Sequence, residues 1–190
     1  MKHCLKVLLL VLLTFSFGGC LSPRADSPAD KRSAINSMSR ETLAELYSER
    51  PTARDNVERA DGYAVFSNVN AQYIFVGAGG GYGVAINRKS GRKTYMKMAQ
   101  IDLGLGLGVQ DIRVVFVFHS QTAYDSFVNS GWEFGGQADL AAKAEDKGAS
   151  ATGEVSVSSE IDMYTLTESG LMAKVNLSGS KYWKDDKLNQ

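Results

Sequence analysis

Cys20 follows two glycines at the end of an apolar run, where a thiol is placed to be acylated. Residues 1–6 form a short basic segment, residues 7–17 are an apolar run of eleven, and Phe17-Gly18-Gly19-Cys20 closes it. The run is too short for a membrane span, which needs about 20 apolar residues, and it suits the core of an export signal. The closing tetrapeptide looks like a bacterial lipobox, with Phe17 where Leu is usual. On that reading residues 1–19 are removed and Cys20 becomes an acylated N-terminus. Three acyl chains hold to a bilayer where one is marginal. Leu21, rather than Asp, follows the cysteine, which fits the outer membrane, facing the periplasm. Ordinary signal cleavage nearby, leaving a free Cys20, is the alternative.

A second group is cationic. Arg88, Lys89, Arg92, Lys93 and Lys97 put five positive charges within ten residues, with no acid between them. Beside an anionic bilayer each is worth roughly 1 kcal/mol. The same charges on a hairpin tip also keep a soluble sheet from pairing edge to edge.

The remaining reactive types do not assemble into a catalytic pattern. His119 is the sole histidine after residue 3 and stands at the end of an apolar run. No Gly-x-Ser-x-Gly elbow accompanies it. Asp185-Asp186 sits in a polar tail, and Glu133, Asp139 and Glu145 are too scattered to be named as paired acids. Gly77-Ala78-Gly79-Gly80-Gly81-Tyr82-Gly83 invites a phosphate-loop reading, but no Gly-Lys-Ser/Thr follows and no helical period begins there. The expectation is a protein that is not an enzyme, with no catalytic residue, metal or cofactor.

Composition narrows the class further. The 21 basic and 21 acidic side chains balance, so no overall basic field marks a nucleic-acid binder. Loss of residues 1–19 leaves 19 basic against 21 acidic, a net charge of −2, so any attraction to anionic lipid has to be local. The chain is 44% apolar, enough for a core. Two cysteines, one of them in the signal, exclude a disulfide framework.

The elements that must position these groups follow from periodicity. Residues 20–31 read as a flexible tether, residues 32–182 as the domain and residues 183–190 as a polar tail. Ser39 predicts the N-cap of a helix carrying Leu43, Leu46 and Tyr47 at helical spacing. Pro51 opens a second short helix through Val57 and Ala60, which Gly62 ends. The period then changes to two. Residues 63–66 and 73–76 are β-rich runs, with Ser-Asn-Val-Asn between them as a turn. Residues 82–87 lead into a hairpin tip at 88–92, and 93–98, 100–109 and 111–119 continue the pattern. Residues 112–118 are apolar on both faces except Arg113, as in a central strand. Ser120 caps a helix bearing Ala123, Tyr124, Phe127 and Val128, stopped by Gly131. Further strands are predicted at 132–142, 155–157, 161–166 and 171–177, with a loop at 143–152. About nine strands in so short a chain imply an α+β, mainly β protein: an antiparallel, barrel-like or strongly curved sheet with short N-terminal helices and one internal helix.

Two glycine rows are structural on this reading. Gly77, Gly79, Gly81 and Gly83 share one strand face, as do Gly104, Gly106 and Gly108. Interior glycine weakens a strand, so the rows imply either another element pressed on the backbone or a sharp bend.

From about residue 43 to residue 182 the chain resembles the SYLF domain family, in five ordered blocks. Residues 54–69, RDNVERADGYAVFSNV, are similar to its opening, with Ser67 where Pro is usual. FVGAGGGYG at 75–83 and GLGLGVQ at 104–110 are similar to its glycine-rich strands, and SGWEFG at 130–135 and GLMAKVNLSGSK at 170–181 to its later blocks. The resemblance implies a non-enzymatic lipid-binding module, since eukaryotic members recognise phosphoinositides and some bind actin filaments. For an exported bacterial protein it implies anionic membrane lipids as partners, through the acyl anchor and the basic hairpin, and no nucleic acid. The rival is a protein-interaction or structural scaffold without a lipid ligand.

Overall fold

The computed structural model describes residues 27–134, 154–167, 170–171 and 179–190; at 70–77, 102–110, 133–134, 154–155 and 170–171 the description is of the backbone. The signal, Cys20, the loop at 143–152 and most of the strand expected at 171–177 lie outside the described residues.

The chain is built on one long ribbon. Strand β1 (Gly62–Asn87) pairs antiparallel with β2 (Lys93–Phe118), from Gly62 opposite Phe118 to Ile86 opposite Lys93. Asn87 makes the turn between them: its side-chain oxygen accepts from the Ser90 amide at 2.9 Å and the Ser90 hydroxyl at 3.0 Å. The expected turn at 67–70 is absent, and β1 runs straight through it. Asn68 is buried there and donates to the Gln100 side chain at 2.8 Å, so its polarity serves an interior hydrogen bond rather than a loop. The breaks expected between 93 and 119 are likewise absent. The remaining strands are β3 (Trp132–Phe134), β4 (Glu154–Ser158), β5 (Ile161–Thr167), β6 (Gly170–Leu171) and β7 (Ser180–Lys184).

The protein is α+β, mainly β, and its described residues form a seven-stranded antiparallel sheet curled into a half-barrel and three helices. The strand order is β3-β7-β2-β5-β4, with β1 also on β2 and β6 on β5. Seven strands replace the expected nine or so because each half of the ribbon is one unbroken strand. β2 is central, as its two-faced apolar run predicted: β5 pairs along Ile112–Phe118 and β7 along Met96–Gln100.

The glycine rows bend the ribbon. Between Ile74 opposite Gly106 and Val76 opposite Leu103 the register shifts, so Phe75 faces both Gly104 and Leu105. Such a bulge bends a strand and increases its twist. The two halves of β1 then meet. The Ser67 carbonyl oxygen occupies the space where a Gly81 side chain would begin, and the Val65 carbonyl does the same at Gly83. Both rows lie in strands, and neither opens a helix.

The curl separates two cores. Inside it, Phe66, Phe116, Phe118, Phe127 and Tyr182 pack edge-on or tilted, except for the stacked Phe116–Phe118 pair, with Phe66 and Tyr182 centroids 4.9 Å apart. Helix α3 (Gln121–Ser130) covers this core with Tyr124, Phe127 and Val128, capped by Ser120 and ended by Gly131 at φ 71° as expected. On the outer face lie α1 (Pro28–Glu49) and α2 (Pro51–Arg59), which pack Ile35, Leu46, Ala53 and Val57 against Val65, Val84, Val115 and Tyr164. Helix α1 starts eleven residues before the expected Ser39. Its N-cap is Ser27, whose side chain accepts from the Asp30 amide, and residues 28–31 belong to the helix rather than the tether. Ser39 and Thr42 are buried in its contact face, so the stripe does not read as apolar.

The expected polar tail is also packed. Residues 180–184 form β7, Leu188 is buried, and the Asn189 side chain donates to the backbone carbonyls of Tyr95 at 2.7 Å and Asp185 at 2.8 Å while accepting from the Tyr95 amide at 2.9 Å. The domain therefore extends past residue 182 to its last residues.

Gly81→Ala is expected to destabilise the protein by about 3 kcal/mol, because a backbone carbonyl must move. Gly91→Ala meets open space and costs only about 1 kcal/mol, for its positive φ of 68°. Denaturant unfolding of the two variants measures the contrast. Burial holds the Tyr182 phenol far above its ordinary range, against a Ser180 hydrogen bond that lowers it. Its neutral form is favoured by the fold, so its contribution is whole below the unfolded value of about 10 and is lost as pH rises beyond it. The stability deficit of Tyr182→Phe is expected to shrink between pH 9 and pH 11 (~2 units across the unfolded value), as read from unfolding curves at each pH.

Candidate functional site

The five cations of the hairpin are all on or near one tip, but most are committed within the protein. Lys89 pairs with Asp61 at 2.9 Å and Lys97 with Asp185 at 3.1 Å. Arg88 donates to the Glu58 carbonyl at 3.1 Å, and Lys93 to the Asn36 side chain at 2.9 Å. Only the Arg92 side chain, among the five, makes no hydrogen bond or ion pair among the described residues. The acids that neutralise the run come from distant parts of the chain, α2's exit and the C-terminal turn, so a contiguous basic sequence folds into a mixed surface. Exposed pairs of this kind add about 0–1 kcal/mol each to stability.

Lys97 belongs to a different place from the tip. It lies on the outer sheet face, directly across from Tyr82 on β1 and Trp183 on β7. Helix α1 covers this face only in part. Where its first turns approach the sheet, they leave a cleft of about 210 Å³ between Lys31, Ile35, Gly80, Tyr82, Lys97 and Trp183. The C-terminal turn forms its rim: Arg32 donates to the Leu188 carbonyl at 3.3 Å, and Asp185 holds Lys97. Burial raises the Tyr82 phenol, and the Asp111 charge adds to that, opposed by a Ser67 hydrogen bond and Arg113.

The other reactive groups stand apart. His119 Nε2 lies 2.7 Å from Asp162 Oδ2, and the Ser156 hydroxyl donates to Asp162 Oδ1 at 2.8 Å. The carboxylate sits between imidazole and hydroxyl, so the hydroxyl is bonded to the carboxylate and not to the imidazole. Asp185 is a structural anchor, accepting from the Lys187 amide at 3.1 Å. No group of three metal-binding side chains occurs among the described residues. Asp139, Glu145 and Cys20 lie outside them, and Glu133 is described by its backbone.

The comparisons with known proteins bear on this geometry. A family model described as "Ysc84: Las17-binding protein actin regulator" matches residues 99–190, which include most of β2, β7 and the C-terminal turn. Residues 99–190 are therefore similar to that family, to which the SYLF domain belongs. The chain is also 35% identical over 170 residues to Beta cell expansion factor A of Aeromonas veronii, an alignment covering 90% of this chain and 62% of that protein. The chain thus spans under two thirds of the relative's length.

Sequence reasoning missed Trp183, Ile101 and Lys31 as surface residues. Trp183 was assigned to a frayed tail and Lys31 to a tether, and only the strand pairings bring them to one face. The aromatic pair Tyr182-Trp183, β-rich residues in a run read as a polar tail, was the available signal.

Asn189→Ala removes three hydrogen bonds and leaves both main-chain groups of Tyr95 without that partner. The expected loss is about 2 kcal/mol, measured by thermal or denaturant unfolding.

Proposed function

We propose that the chain is an exported, lipid-anchored protein of the bacterial envelope, acylated at Cys20, whose SYLF domain binds anionic phospholipid and performs no catalysis. The observation that carries the reading is the family-model match over residues 99–190, joined to the lipobox-like Phe17-Gly18-Gly19-Cys20. The anchor and the domain act at the same surface: the acyl chains hold the protein to the bilayer, and the domain reads what the headgroups present. The outer membrane, facing the periplasm, is the location that Leu21 favours. Imidazole, hydroxyl and carboxylate at His119, Ser156 and Asp162 are arranged as a strand-end brace, which supports a binding role rather than a hydrolytic one.

A second reading is a protein-binding scaffold without a lipid ligand. The family's description as a Las17-binding actin regulator favours it, and the committed hairpin cations weaken the simplest lipid site.

Cys20→Ala is expected to release the protein from the membrane pellet, and mass spectrometry of the wild-type N-terminus to show acyl mass on Cys20. The Cys20→Ala chain should still float with vesicles of phosphatidylcholine and phosphatidylglycerol, less so as salt rises. Indifference to lipid charge would favour the scaffold, and an unmodified Cys20 would refute the anchor.

A further inference from the structure

The outer sheet face that α1 leaves bare is amphipathic in a way that the rest of the described surface is not. Its residues follow from register. Ala78 lies opposite Ile101, Gly80 opposite Ala99 and then Lys181, and Tyr82 opposite Lys97 and then Trp183. Opposed residues share a face. Ile101 is 59% exposed and Trp183 37%, two of the three large apolar side chains that are exposed among the described residues, and Ala78 across from Ile101 and Ala99 beside it are exposed too. Lys31, whose side chain makes no hydrogen bond or ion pair among the described residues, borders the same face.

We propose that this face, Ile101 and Trp183 with Ala99 and Lys181 between them, Ala78 across from Ile101 and Lys31 at its edge, is where the domain lies on the bilayer, rather than the basic hairpin tip. The inference rests on the lipid reading above and assigns its contact surface. Three observations converge on a lipid occupant. Tryptophan is favoured at the boundary between headgroups and acyl chains, because its ring is apolar and its N–H polar. Lysine beside it brings charge complementary to anionic headgroups, while its stem lies along apolar surface. The chain leads there as well: seven residues separate Cys20 from Pro28 at the start of α1, a reach of at most about 29 Å. An acylated Cys20 therefore keeps the Lys31 end of α1, and the bare face beside it, close to the membrane. The tip cations other than Arg92, held by Asp61, Asn36 and the Glu58 carbonyl, would have to give up partners to contact lipid.

The chain has two tryptophans, so Trp132→Phe leaves Trp183 as the sole emitter. The acylated single-tryptophan protein is reconstituted into phosphatidylcholine–phosphatidylglycerol vesicles with and without brominated acyl chains. Blue-shifted emission and strong quenching by the brominated lipid are expected, unchanged by Arg92→Glu. In the Cys20→Ala background, Ile101→Asp is expected to weaken vesicle binding roughly tenfold, through lost apolar burial. Protein that floats with unshifted, unquenched Trp183 emission overturns this surface while leaving the lipid reading intact. Cys20→Ala protein that binds no vesicle overturns both. A blue shift that grows with protein concentration and needs no lipid would assign the face to a second copy of the chain, and also overturns the proposal.

Discussion

A carbonyl oxygen can sit directly over a strand only where that strand has no side chain on the facing side. At Gly81 and Gly83 the ribbon meets this condition, and the carbonyls of Ser67 and Val65 occupy the vacated space. The contact lets the first half of β1 fold across the second, so a two-stranded hairpin that would otherwise extend becomes two walls of a half-barrel. Approach at this distance excludes any Cβ and is compatible with weak Cα–H to carbonyl interaction. The rest is arranged around it. The aromatic core fills the inside of the curl, α3 covers that core, and α1 and α2 are left to the outside face. The Asn68–Gln100 hydrogen bond joins the two halves in the interior.

Much of this architecture is legible in the sequence because it rests on local rules. The strand period, the hairpin at 88–92, the Ser120 cap, the Gly131 stop and the central character of 112–118 depend on a few neighbouring residues. What was not legible depends on distant contacts. A run of Ser-Asn-Val-Asn has turn composition, yet Asn68 finds its partner 32 residues away and stays in the strand. Ser39 and Thr42 have cap and loop chemistry but are buried in α1 against the sheet. The last residues are charged and short, but Asn189 satisfies the backbone of Tyr95 on a strand 94 residues earlier. In each case a polar residue is polar for a tertiary hydrogen bond or a close contact, which composition reads as solvent exposure.

The same distinction governs the functional surface. Five cations in ten residues form an evident electrostatic signal, but folding delivers Asp61 and Asp185 to two of them. The face carrying Ile101 and Trp183 has no sequence signal of comparable strength, because its residues come from three strands. The curl positions it: β1 and β2 present their outer face, β7 extends it, and α1 stops short of covering it. The domain keeps its phenylalanine cluster inside and leaves Trp183 outside, beside the first turns of α1.

Solution NMR of the protein tests the folded-back ribbon most directly. A Gly81 Cβ would lie 2.9 Å from the Asn68 Cα, so a nuclear Overhauser cross-peak between the α-protons of Gly81 and Asn68 is expected alongside the ladder between β1 and β2. An intact ladder with no such cross-peak would mean a ribbon that does not fold onto its glycines, and the half-barrel would be wrong.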